Sequence, residues 1–350
     1  MRSARRLRSA RPRRWVGRWA LGITVALLAP LAVALSDATG PVQAAPNPRG
    51  FDFVVNSPEM GPIRSRIFRA KDGNTNRVVY ALDGMRAPET HSGWEFDTNV
   101  ADALTDWNIN VVMPVGGMSS FYADWNAPSS FFGAPPTGSS SGSGALNVIS
   151  EGPGKSYRYA WETFVTQHLR WALRDRLGFN PYRNGVFGLS MGGSGALTMA
   201  AYHPDQFSFA GSYSGYLNIS APGMREAIRM AMIDAGGYNV DSMAPPWGPQ
   251  WLRMDPFVFA PLLRDHNTRL WISAGSGLPD IPVDGFNGNT INGMALETLA
   301  LANTRSFQLR MMSLGANNVT YSFPGTGIHS WTYWQAEVYR MIPDLSANIG

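Results

Sequence analysis

The chain has 350 residues, 44% of them apolar, with 29 basic and 25 acidic side chains and no cysteine. That length suffices for one large domain with a well-buried core and does not call for two. The lack of cysteine excludes a disulfide framework and a thiol nucleophile, so any covalent chemistry must use oxygen or nitrogen.

Eight arginines lie between Arg2 and Arg18, and an apolar stretch from Ala20 to Leu35, broken by Pro30, leads to Val42-Gln43-Ala44. This pattern predicts a secretory signal peptide over 1–44, cut after Ala44 or Ala45, and Arg13-Arg14 leaves a twin-arginine export route open. Those residues hold 8 of the 29 basic and one of the 25 acidic side chains, so the mature part carries 21 against 24, a net charge of −3. No basic cluster survives in it, which removes nucleic acid as a partner, and no membrane span is expected after cleavage. The expected product is one secreted domain, 45–350.

From Phe51 to Ala70 apolar residues alternate (Phe51, Phe53, Val55, then Ile63 and Ile67) around Asn56-Ser57-Pro58 and Gly61-Pro62. This predicts an antiparallel hairpin opening a sheet. Short apolar runs recur at Val78–Leu82, Ile109–Val115, Gly185–Leu189, Phe207–Ser212, Leu270–Ala274 and Val319–Phe323, with helix-like stretches between several of them. The alternation predicts an α/β fold, a mainly parallel central sheet with helices on both faces. The Ser-, Gly- and Pro-rich stretch at about 128–154 reads as a surface-loop insertion. Phe164, His168, Trp171 and Leu177 share a helical stripe ended by Gly178, predicting a helix over Trp161–Leu177 ahead of the next strand.

Gly188-Leu189-Ser190-Met191-Gly192 is a G-x-S-x-G motif between an apolar run and an Ala-rich helical segment, the setting of a nucleophile elbow. Ser190 is therefore the candidate nucleophile. A serine needs a histidine base, and the base needs a carboxylate that fixes its tautomer. In the chain order Ser, acid, His, only His266 and His329 of the five histidines qualify, and His329, in the loop after the last strand, is the better placed. His203 is expected to cap or pack locally, and His91 and His168 to lie at the surface. Spacing alone leaves Asp280, Asp284 and Glu297 open as the acid, with a lean toward the aspartates. Two backbone N–H groups must hold the oxyanion: Met191, after the nucleophile, and a residue of the early loop Leu82-Asp83-Gly84-Met85-Arg86.

Beyond the elbow, a series of ordered blocks resembles the secreted mycolyltransferases of the antigen 85 type. They are Leu82 to Ala87, Val112 to Gly117 with Ser119 to Trp125, Trp161 to Phe164, Gly188 to Gly192 with Tyr202-His203-Pro204, Asp234 to Tyr238, and His329-Ser330-Trp331. The resemblance implies an α/β-hydrolase fold with a Ser190, Glu297, His329 triad, which sets the aspartates aside, and oxyanion donors at Met85 and Met191. It also implies a substrate pocket involving Asp83, Arg86, Ser214, Asn218, Ser330 and Trp331, with trehalose mycolates and envelope glycolipids as partners. Asn218 stands where the family usually has an aspartate, and the family's cysteine pair after Trp125 is absent. The segment Ala101 to Asn108 departs from the family's fibronectin-binding stretch, so adhesion is not expected. Neither a P-loop nor a dinucleotide fingerprint occurs, and the histidines lack metal-ligand spacing, so no cofactor is expected. Water in place of a sugar acceptor would make the protein a carboxylesterase, and loss of turnover would leave a glycolipid-binding envelope protein.

Overall fold

The computed structural model describes residues 45–131 and 152–350. The expected signal peptide and most of the 128–154 insertion lie outside them. Strands β1 (Gly50–Ser57) and β2 (Gly61–Phe68) form the expected hairpin, pairing from Gly50 with Phe68 to Ser57 with Gly61. β2 lies antiparallel to β4 (Asn110–Pro114). From there β3 (Val78–Leu82), β5 (Asn184–Leu189), β6 (Phe207–Tyr213), β7 (Arg269–Ser273) and β8 (Val319–Ser322) all run parallel to β4, in an eight-stranded sheet of order β1-β2-β4-β3-β5-β6-β7-β8. This is the mainly parallel sheet the alternating runs predict, with the chain order of the α/β-hydrolase fold.

Both faces of the central strands are covered, which is why they read as continuous apolar runs. Successive residues divide between two cores: Val78, Tyr80, Leu82, Val186, Leu270 and Ile272 enter one, while Val79, Ala81, Phe187, Leu189, Phe209 and Tyr213 enter the other. The first core is closed by the elbow helix Met191–Tyr202 and by helices Met224–Gly236, Pro256–Asp265 and Gly288–Ser313. The second is closed by helix Val100–Asp106 and by the C-terminal helix Trp331–Asn348 through Val338, Met341, Ile342 and Leu345. Parallel strands place their carboxyl ends along one edge, and ligand sites of open α/β sheets form outside that edge.

The helix expected over Trp161–Leu177 is present but not uniform. Trp161–Thr163 and Arg170–Leu177 are α-helical, and Phe164–Leu169 between them is π-helical. Glu162, just before the wide turn, is buried, with Arg253 donating to both carboxylate oxygens at 2.6 Å and His203 Nε2 2.8 Å away. His203 is the C-cap of the elbow helix, so this cluster fastens the far end of that helix. Burial pushes the Glu162 carboxyl up, but His203 and Arg253 outweigh it and hold it below the usual range.

A depressed carboxyl stabilises the fold above its unfolded pKa, about 4.3, and that contribution fades as pH falls through the folded value. Glu162→Gln should therefore unfold more readily than wild type at pH 7, by up to about 3 kcal/mol. The gap should narrow on acidification below about pH 4. Urea melts at several pH values measure it, and equal stability at pH 7 removes the cluster from the stability argument.

Candidate active site

β5 ends at Leu189, and the chain reverses at Ser190, φ 52° and ψ −120°, directly into the elbow helix. A non-glycine residue in that region carries about 1–3 kcal/mol of strain, which persists only where the surroundings dictate it. Here they do. The Ser190 N–H donates to the Tyr213 carbonyl at 2.8 Å, and the flanking glycines leave no alternative packing. A Cβ on Gly188 would stand 2.4 Å from the Gly192 backbone, and one on Gly192 would stand 2.4 Å from the Asp83 carbonyl oxygen and 2.6 Å from that of Leu82. The Ser190 turn and the loop after β3 are thus in backbone contact.

His329 lies in the loop after β8 and Glu297 in the long helix Gly288–Ser313. Glu297 Oε2 is 2.9 Å from His329 Nδ1, while the Gly293 carbonyl, one turn earlier on the same helix, accepts from the His329 backbone N–H at 3.1 Å. The other carboxylate oxygen accepts from Gly275 N–H at 2.6 Å and from Ser214 Oγ at 2.8 Å. Ser214 Oγ in turn accepts from Trp334 Nε1 at 2.9 Å. Glu297 is fully buried, so these hydrogen bonds replace the water it has lost. Its two rivals do not reach the imidazole: Asp284 accepts from the Asp280 N–H and from the hydroxyls of Ser330 and Thr332. His266 sits exposed at the C-cap of helix Pro256–Asp265.

In the loop after β3, Met85 N–H has no acceptor among the described residues, and Met191 opens the elbow helix, so its N–H has no intrahelical acceptor. Asp83 is buried. Its N–H donates to Tyr122 Oη at 2.8 Å and its carboxylate accepts from Gly93 N–H at 3.2 Å. Burial pushes the Asp83 carboxyl up to about 7, against the pull of the Gly93 and Trp94 N–H groups. Arg86 is exposed and ion-paired with Asp234. Trp331 is partly buried, edge-on to Trp94 at 5.4 Å and Trp334 at 5.2 Å. Asn218 is held to the Glu297 helix by Asn303 and Ser306. Of the residues expected around the substrate, Asp83, Ser214 and Asn218 thus spend polar groups inward, while Arg86 and Trp331 keep accessible surface.

One residue that sequence reasoning passes over is Tyr216. Its ring lies 6.5 Å from the His329 ring at 21°, and burial pushes its phenol up to about 12. The signal for it was positional: it follows β6 at the same carboxyl edge as Ser190.

A serine on a strained strand-to-helix turn at the carboxyl edge of this sheet, with a carboxylate–imidazole pair between a helix and a loop that follow later strands at that edge, is the arrangement of an esterase-type α/β-hydrolase. Residues 61–345 match the family described as a putative esterase. The chain is 36% identical over 348 residues to the diacylglycerol acyltransferase/mycolyltransferase Ag85B of Mycolicibacterium smegmatis, spanning 95% of this chain and 98% of that one. With the Ag85C protein of Mycobacterium leprae it shares 38% identity over 292 residues, 83% and 79% of the two chains. The crystal structure of Mycobacterium tuberculosis MPT51 (FbpC1) superimposes with a TM-score of 0.70 at 29% identity, covering 88% of this chain and 100% of that one. The chain belongs to the Ag85-type diacylglycerol acyltransferase/mycolyltransferase family.

The raised Asp83 carboxyl has a consequence for stability. A group whose folded pKa exceeds its unfolded value of about 3.9 favours the fold at low pH and loses that advantage as pH rises. Wild type should thus lose stability relative to Asp83→Asn between about pH 4 and the folded pKa of about 7. Denaturation midpoints across that range test it, and parallel curves for the two proteins contradict it.

Proposed function

We propose that the protein is a secreted serine acyltransferase of the cell envelope that moves mycolyl groups between trehalose esters, and to cell-wall arabinan, through an acyl-enzyme on Ser190. The observation that carries the reading is the Glu297–His329 pair, 2.9 Å apart, in a chain of this family that also bears an elbow serine. In this mechanism His329 Nε2 takes the Ser190 proton while Glu297 holds the other ring nitrogen in its protonated form and stabilises the imidazolium. Ser190 Oγ attacks the ester carbonyl of trehalose monomycolate, and the Met85 and Met191 N–H groups hold the oxyanion. Collapse breaks the bond to the sugar oxygen, which leaves with the proton from His329. A second trehalose monomycolate then gives its hydroxyl proton to His329 and attacks the acyl-enzyme, yielding trehalose dimycolate and restoring Ser190.

An acyl chain needs apolar surface near the reacting ester. The segment between β7 and Glu297 supplies it, with Leu278, Ile281, Val283, Phe286 and Ile291 all exposed. It is tied to the His329 loop by Gly327 N–H donating to the Leu278 carbonyl at 2.8 Å. Arg86 and Trp331, with Ser330 between His329 and Trp331 in sequence, suit the sugar. Among the described residues no helix is long and apolar enough to cross a membrane.

Purified protein given trehalose monomycolate should form trehalose dimycolate, resolved by mass spectrometry. Ser190→Ala should lower the rate by about 10³-fold or more, and Glu297→Gln by a smaller but large factor. Retention of transfer by Ser190→Ala defeats the mechanism. Free mycolic acid as the only product, still dependent on Ser190, makes water the acceptor and the protein a carboxylesterase.

A further inference from the structure

Glu297 and His329 are carried by chain that packs on opposite faces of the sheet. Glu297 rides on helix Gly288–Ser313, which closes the first core, while His329 leads through the N-cap Ser330 into helix Trp331–Asn348, which closes the second. One side chain of that second helix reaches both. Trp334, 5% exposed, donates from Nε1 to Ser214 Oγ at 2.9 Å, and Ser214 Oγ donates to Glu297 Oε1 at 2.8 Å. Its ring stands at 86° to the His329 ring with centroids 4.9 Å apart, and its backbone N–H donates to the Ser330 carbonyl at 3.2 Å. We propose that Trp334 is a positioning residue for the reaction: its indole N–H sets the direction of the Ser214 hydroxyl, and through it the carboxylate that orients His329. This rests on Ser190, Glu297 and His329 acting as proposed above.

Of the two neutral donors on Glu297 Oε1, the Gly275 N–H is fixed by the backbone, but a serine hydroxyl has one proton and can turn it toward any acceptor. Indole Nε1 is a donor only. By filling a lone pair of Ser214 Oγ it makes that oxygen an acceptor on the Trp334 side and leaves the hydroxyl proton for Glu297. The Ser214 backbone is set as tightly, at φ 52° with its N–H on the Ser273 carbonyl at 2.8 Å. Glu297 Oε1 thus keeps both donors, and Oε2 stays 2.9 Å from His329 Nδ1. The carboxylate then has one orientation in which to face the imidazole, before and after it takes the Ser190 proton. Without the indole N–H, Ser214 is free to turn its proton away, and Glu297 loses a fixed donor. Trp334 itself exchanges no proton.

Trp334→benzothienylalanine keeps the bicyclic shape against His329 and puts sulfur in place of the N–H, so it removes the donor without opening a cavity. On a soluble short-chain p-nitrophenyl ester, kcat should fall about tenfold with KM within about twofold. The downfield proton resonance of His329 Nδ1–H should move, with an unchanged melting temperature. Ser214→Ala should lower kcat by a similar factor, and adding the Trp334 change to it should cost less than about twofold more, because the indole acts through that hydroxyl. Wild-type kcat with an unmoved resonance overturns the proposal, as does full additivity of the two changes. A loss of kcat that comes with a lowered melting temperature and an unmoved resonance is a packing effect and overturns it too. In each case Ser190→Ala stays inactive on the same ester; persistent turnover by Ser190→Ala instead overturns the underlying mechanism.

Discussion

The structure depends on a backbone contact in which the turn carrying Ser190 presses on the loop after β3. The Leu82 and Asp83 carbonyl oxygens stand where a side chain on residue 192 would be, so only glycine lets the two segments meet. That contact fixes the Ser190 turn relative to the loop that carries Met85 in one step. Because both segments hang from neighbouring parallel strands, β3 and β5, the register Leu82 with Gly188 sets the spacing before any side chain contributes. The strain stored at Ser190 is held in place by burial of the whole elbow helix, from Met191 to Ala201, against the sheet.

A second constraint is electrostatic. Among the described residues no arginine or lysine pairs with the buried Glu297. Its charge is met by two neutral donors, Gly275 N–H and Ser214 Oγ, and by His329. A lysine or arginine there would satisfy the carboxylate too well and leave it a weaker partner for an imidazolium. Neutral hydrogen bonds stabilise the charge without cancelling it, so the imidazole still gains from facing it. The Gly293 carbonyl and the Glu297 carboxylate lie one turn apart on one helix, so a single rigid element sets both the backbone and the ring of His329.

Much of this was legible in the sequence because apolar runs and glycines report strands and tight turns directly. The hairpin, the parallel strands and the elbow at Ser190 all followed from local pattern. The acid did not. A rule that looks just past the penultimate strand finds Asp280 and Asp284, whereas the chain first makes an excursion through Leu278 to Phe286 and returns in a 26-residue helix whose interior carries Glu297. The family blocks, not spacing, located it. The π-helical turn at Phe164–Leu169 has no compositional signature, and Pro343 inside the C-terminal helix Trp331–Asn348 disguised that element. Tyr216 was illegible for another reason: in Gly215-Tyr216-Leu217 a tyrosine reads as core, and core it is, yet its ring lies parallel to that of His329.

The distribution of charge around this edge bears on what the site can accept. Glu297 is matched with His329, Arg86 with Asp234, and Asp284 with the hydroxyls of Ser330 and Thr332, while burial holds Asp83 close to half-neutral near pH 7. A charged substrate would find its counter-ions already engaged, and recognising it would mean breaking one of these pairs at a cost of several kcal/mol if buried. A neutral polyol ester needs only hydroxyls, amides, aromatic faces and apolar surface for its acyl chain. The proposed acyl-trehalose substrate has that character, and discrimination against water must then come from orienting the acceptor hydroxyl at His329 and excluding solvent rather than from charge.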